Sequence, residues 1–221
     1  MKKLSIIIFL LIGFLPLSLK AQLALLRDNG TGLPITSNPY GGVKGSVYLG
    51  DFKKGVLYLS TGQKVTGLSI ALNAYNNTLE YKLEGGLFSY SADKLLGFSY
   101  PDVAGDSLEF TSAYEVPTLK KKRFLQILNK GRYTLLYHPY KIMTDDPSAT
   151  YGTQASKVFQ NQNEFFVAVE GKVVLLRNKE KDLKEAFGED SSKAISIIKS
   201  QKINFKEVED LKRLIQYMNQ D

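Results

Sequence analysis

The chain of 221 residues holds one histidine, His138, and no cysteine, and these two counts limit the chemistry its side chains can perform. A serine–histidine–carboxylate triad would rest wholly on His138, because imidazole is the base that takes the serine proton. No serine stands in a nucleophile-elbow pattern. One imidazole cannot build a multi-histidine metal site, and thiolate zinc sites need cysteines. In the segment Leu135-Leu136-Tyr137-His138-Pro139-Tyr140, His138 reads as a strand-end histidine before a proline-bent loop. No catalytic residue, no metal ligand and no cofactor is assigned, and ligand-binding residues stay unknown at this level.

The acidic pairs are Asp145-Asp146 and Glu189-Asp190. Calcium takes six to eight oxygens from a shaped loop, and neither neighbourhood repeats acidic residues at alternating positions. Asp190 is better explained as a helix cap. Glycine pairs such as Gly41-Gly42 and Gly85-Gly86 do not match a phosphate-binding loop. The 13 tyrosines include the run Tyr133, Tyr137, Tyr140 and Tyr151. A tyrosine platform can hold a glycan or an apolar ligand, but tyrosine is also an ordinary strand residue with an apolar ring and a wet hydroxyl. The absence of tryptophan weakens the sugar reading.

Charge narrows the partners. Met1-Lys2-Lys3, the apolar stretch from Leu4 to Leu19 and the ending Lys20-Ala21-Gln22 have the layout of a secretory signal peptide. Cleavage is expected between Ala21 and Gln22, with delivery to the periplasm or the medium. No cysteine follows the cut for lipid anchoring, and no transmembrane span is expected after cleavage. Removal of Lys2, Lys3 and Lys20 leaves 26 basic against 22 acidic residues, a balance of +4 rather than the formal +7. That is solubility charge, not a nucleic-acid footprint. The one dense basic run, Lys120-Lys121-Lys122-Arg123, reads as a solvated turn before a strand.

These side chains must be positioned by strands first and helices last. Residues 22–42 are rich in Gly, Pro and Asn and read as an irregular N-terminal arm. Residues 43–176 read as antiparallel strands, because the gaps between apolar runs are too short for parallel crossovers. The clearest run alternates Leu79, Tyr81 and Leu83 with Glu80, Lys82 and Glu84, giving one core face and one polar face. Val169-Glu170-Gly171-Lys172 marks a hairpin. From residue 177 to 221 the period becomes helical. Asn178 is the expected cap of a helix ending at Gly188, and Asp190 or Ser191 that of a second. Asn204 with Glu207 forms a capping-box-like start for a third, whose apolar stripe includes Val208, Leu211, Leu214, Ile215 and Met218. The expected fold class is α+β: a curled antiparallel β-sheet or partly open barrel followed by about three C-terminal helices packed on the sheet. A two-sheet sandwich is the alternative.

Three segments carry a resemblance: Gly55 to Val65, Leu72 to Tyr81, and the tail from Lys179 to Asn219. In these the chain resembles a group of uncharacterised exported proteins of Bacteroidota-type bacteria without an assigned activity. The resemblance implies export and the strand-then-helix order, and it brings no functional residue. The leading expectation is an exported, non-enzymatic binding or envelope-associated protein whose partner is a protein, a glycan or a small apolar ligand. The alternatives are a carrier holding an apolar ligand inside the curled sheet, and a hydrolase with dispersed carboxylates.

Overall fold

The computed structural model describes residues 32–102, 104–116, 118–148 and 156–220. The leader expected over residues 1–21, the start of the arm and Tyr151 lie outside the described residues. The strands are β1 (Leu33–Pro34), β2 (Val43–Lys44), β3 (Lys53–Leu59), β4 (Lys64–Asn73), β5 (Thr78–Leu83), β6 (Gly86–Ser91) and β7 (Leu95–Pro101). They continue with β8 (Ser107–Thr111), β9 (Glu115–Val116), β10 (Lys121–Lys122), β11 (Leu125–Asn129), β12 (Thr134–Asp145), β13 (Lys157–Val169) and β14 (Lys172–Leu175). Helices α1 (Glu180–Phe187), α2 (Ser191–Ser200) and α3 (Val208–Met218) follow, so the fold is α+β.

Twelve strands form one sheet in the order β1-β6-β5-β4-β3-β7-β8-β11-β12-β13-β14, with β2 attached to β13, while β9 and β10 form a separate hairpin. The ladder does not close into a barrel. The sheet is mixed rather than purely antiparallel, because β2 runs parallel to β13. The arm, expected to be irregular, contributes β1 to the edge of β6.

The path from β6 to β7 forces a strong bend. β5, β4 and β3 lie between these two strands in the ladder, yet only Ala92, Asp93 and Lys94 connect them in the chain. Tyr90 lies opposite Leu79 and Leu79 opposite Leu72, whereas Leu95 lies opposite Leu59 at the far end of β3. On a flat sheet, four spacings of about 4.8 Å and a stagger of about eight residues would hold Tyr90 and Leu95 about 30 Å apart. Five residues of chain reach about 17 Å at most. The chain is further shortened by a turn in which the Lys94 N–H donates to Ser91 O at 3.1 Å. The β3–β7 segment must therefore wrap around its inner face.

That face is a packed core. Leu57, Leu79, Tyr81 and Phe98 are fully buried within one cluster, to which no helical residue belongs. Phe98 stacks on Phe110 at 4.6 Å and Tyr81 on Tyr90 at 5.3 Å between centroids. Gly97 admits the close approach of β8: a Cβ there would lie 2.1 Å from the Phe110 carbonyl oxygen.

The helices cover the other half of the sheet. Leu211, Leu214, Ile215 and Met218 of α3 pack with Leu135, Phe165 and Val167, so the stripe expected from the sequence does face the strands. α1 stops at Gly188 with φ 54°, a left-handed end that glycine adopts without Cβ strain. The caps differ from expectation. Lys179, not Asn178, precedes α1, and Glu207, not Asn204, precedes α3. Asp190 stands before α2 without capping it. Its carboxylate instead accepts the Tyr133 hydroxyl at 2.6 Å and pairs with Arg132 at 2.9 Å, because strand-to-helix contacts offered it stronger donors than a free helix end.

The other correction concerns Pro139, which does not end its strand. β12 runs on to Asp145, paired with β13 throughout. The Lys141 N–H, two residues on, donates away from β13 to Ala74 O at 3.0 Å. By the period of two, Pro139 turns its missing donor to that same side, where the ladder with β13 loses nothing.

Candidate functional site

The outer face of β5 is where the site begins. Alternation turns Leu79 and Tyr81 into the core, which sends Glu80 outward with Lys82. An outward glutamate on a strand is normally solvated, yet Glu80 is only 4% exposed. The chain between β2 and β3 covers it. Tyr48 forms a bridge with Asn73, the Leu49 N–H donates to Leu72 O at 2.9 Å, and the Ala74 N–H donates to Val47 O at 2.8 Å.

The covered carboxylate is held by two neutral donors. The Tyr48 hydroxyl donates to Glu80 Oε2 at 2.6 Å, and Asn73 Nδ2 donates to Oε1 at 2.7 Å. Asn73 is itself fixed, since its Oδ1 accepts the backbone N–H groups of Tyr75 at 3.2 Å and Asn76 at 3.0 Å. Such side-chain capture of following N–H groups is the turn chemistry of asparagine. Burial, then the hydrogen bond and negative charge of Glu80, push the Tyr48 phenol well above its ordinary pKa. The phenol therefore remains a donor across the physiological range.

Beside this trio opens a cleft of about 700 Å3, bounded on one side by the arm and the segment after it, through Ile35, Tyr40, Val47 and Tyr48, and on the other by Asn73, Glu80, Leu87 and Phe159. Its aromatic wall is built from Tyr40, whose ring meets Tyr75 and Phe159 edge-on at 5.6 and 5.5 Å. Asn76 Nδ2 donates to the Tyr40 hydroxyl at 2.7 Å. The arm is pinned further along, where Lys44 forms an ion pair with Asp146. Lys44 first, and the Ser148 hydroxyl and backbone N–H next, hold the Asp146 carboxyl well below the usual carboxylate range. Lys141 Nζ donates to Ser46 O at 2.7 Å, and burial lowers its pKa.

The residues singled out from the sequence fall elsewhere. His138 is 4% exposed and lies opposite Glu164 across the β12–β13 ladder, Nδ1 to Oε2 at 3.5 Å. Its ring stacks on Tyr140 at 5.0 Å, and Nε2 has no hydrogen-bond partner. Burial lowers its pKa, the bond and charge of Glu164 oppose that, and Arg123 adds to the lowering. No serine hydroxyl is hydrogen-bonded to His138 among the described residues, and His138 does not line the cleft. Asp145 pairs with Lys157. Among the described residues, no three His, Asp or Glu side chains gather as a metal site, and no helix is long and apolar enough to cross a membrane.

Of the tyrosine run, Tyr133 is buried against Phe187 and Tyr137 against Phe165, both within or against the core under the helices. The tyrosines that build the cleft, Tyr40 and Tyr48, stand in the arm and just after it. Sequence reasoning missed them, and it missed Glu80, because period two marks only which face a side chain takes. It does not show what crosses that face. Lys121 and Lys122 form the exposed strand β10, while Arg123 Nη1 donates to Asn76 O at 3.4 Å.

No family model matches this chain, and neither the search of curated proteins nor the search of solved structures returned a match.

Proposed function

We propose that this chain is an exported, non-enzymatic binding protein whose ligand site is the cleft between the arm and the outer face of β4 and β5. The observation that carries the reading is the built floor of that cleft: a buried glutamate fixed by Tyr48 and Asn73 beneath an open volume of about 700 Å3. Ligand sites are concave and place a few oriented polar groups among apolar walls, and this cleft has that composition. Glu80 is the single acidic side chain among the described residues that line it, and both its oxygens accept hydrogen bonds. A hydrolase working through paired carboxylates would need a second one in reach. A carrier within the bent sheet has less support, because Leu57, Tyr81 and Phe98 fill that face. The N-terminal layout of basic start, apolar stretch and Ala21-Gln22, with the likeness to exported proteins, supports release after cleavage.

Thr36, exposed on the arm at the cleft rim, provides the test. A thermal-shift screen of amines, amino acids, sugars and fatty acids is expected to give hits with the wild type that vanish in Thr36→Trp, whose indole adds bulk to the cleft lining. Hits that survive Thr36→Trp place binding elsewhere and sink the reading. N-terminal sequencing of released protein is expected to begin at Gln22, and an intact Met1 overturns export by cleavage.

A further inference from the structure

Building on the cleft as the ligand site, we infer that its ligand is a small organic cation, a protonated amine or a quaternary ammonium, whose charge meets Glu80. The Tyr48 hydroxyl and Asn73 Nδ2 each donate to one oxygen of Glu80, and donors aimed at both oxygens favour the ionised form of a carboxyl group. Its two donors are neutral. A buried charge without a counter-charge is costly, and natural proteins pair such groups.

Among the described residues no cation pairs with Glu80. Those nearby are engaged elsewhere. Lys82, two residues along the same face, lies over the Phe52 ring at 4.5 Å. Lys141 donates to Ser46 O and Arg123 to Asn76 O. Lys44 pairs with Asp146. Among the described residues that line the cleft there is no lysine, arginine or histidine, so these residues present one uncompensated negative charge. They also present the rings of Tyr40, Tyr48 and Phe159, whose electron-rich faces attract ammonium groups. A buried anion without its counter-ion, beside an open volume and aromatic walls, defines a site whose missing charge arrives with the ligand.

The experiment titrates the full mature chain by NMR with choline and with n-butylamine at neutral pH. The neutral isosteres 3,3-dimethylbutan-1-ol and n-butanol serve as controls. At least one cation is expected to bind about tenfold more tightly than its isostere, a difference of about 1.4 kcal/mol, shifting the amide signals of Tyr40, Tyr48 and Phe159. Glu80→Gln keeps the shape and hydrogen-bonding capacity of the side chain and is expected to erase that preference. Equal binding of cation and isostere by the wild type overturns the inference without recourse to any variant, as does a preference that persists in Glu80→Gln. If neutral compounds bind as well as cations and are lost in Thr36→Trp, the cleft stands as a ligand site and its cation selectivity falls. If no probe moves the cleft signals at about 10 mM, beyond the millimolar end of the range of ligand affinities, the cation inference falls. In that case the cleft itself is judged by the wider screen.

Discussion

The Tyr48 hydroxyl lies 2.6 Å from Glu80 Oε2, and through this bond the segment after the arm is fastened to the outer face of a strand 32 residues further along the chain. The bond closes the floor of the cleft and satisfies half of a buried carboxylate.

Tyr48→Phe removes the hydroxyl and leaves Glu80 with one donor. A hydrogen bond to a charged group contributes about 1.5–3 kcal/mol, so the variant is expected to lose stability in that range. Urea unfolding checks it: the midpoint falls while the slope stays that of the wild type. An unchanged midpoint would mean that water replaces the hydroxyl at no cost.

His138 makes stability depend on mild acid. The folded state holds its pKa below the ordinary 6.5, chiefly through burial, with Arg123 adding to the lowering and Glu164 opposing it. The unfolded chain therefore binds the proton more readily, and stability rises with pH across the window between the folded pKa and 6.5. The contribution is complete above 6.5 and is lost as the pH falls toward the folded value. The single imidazole signal in an NMR pH titration is expected to move with a midpoint below 6.5. His138→Gln is expected to flatten the fall in urea midpoint between about pH 7 and 5.

Asn219 docks the end of α3 onto Tyr133, the residue just before β12, by imitating a strand partner. Its Oδ1 accepts the Tyr133 N–H at 2.8 Å, and its Nδ2 donates to Tyr133 O at 2.9 Å. Gly131 leaves room for it, since a Cβ there would lie 2.4 Å from Asn219 Nδ2. Asn219→Ala removes both bonds and is expected to cost about 1–3 kcal/mol. Hydrogen exchange at the Tyr133 amide is expected to quicken by more than at amides of β5.

Gly97→Ala tests the close pairing of β7 and β8. The new methyl would meet a backbone oxygen, which cannot rotate away as a side chain does, so the strands must separate. Overpacking of this kind costs about 1–3 kcal/mol. Thermal unfolding is expected at lower temperature, with the near-ultraviolet signal of the Phe98–Phe110 region altered before that of the helical half.

The sequence alone determined the α+β order, most strand positions, the hairpin at Glu170-Gly171 and the apolar stripe of α3. Each of these is a local property, since period two, period 3.6 and turn residues act over a few positions. Cap identities escaped it. Asn178 and Asn204 have capping chemistry, but capping competes with tertiary donors, and Asp190 went to Tyr133 and Arg132. Only the tertiary structure decided that the β3–β7 segment bends, because that follows from which strands pair across the sheet. It alone decided that Pro139 lies inside a long strand, where the neighbouring ladder leaves its nitrogen unopposed. It also decided the site. Glu80 carries the alternation signature of a solvated residue and becomes a buried carboxylate because Tyr48, distant in sequence, crosses above it. Burial is set by what packs over a side chain, and that information is not local to the strand.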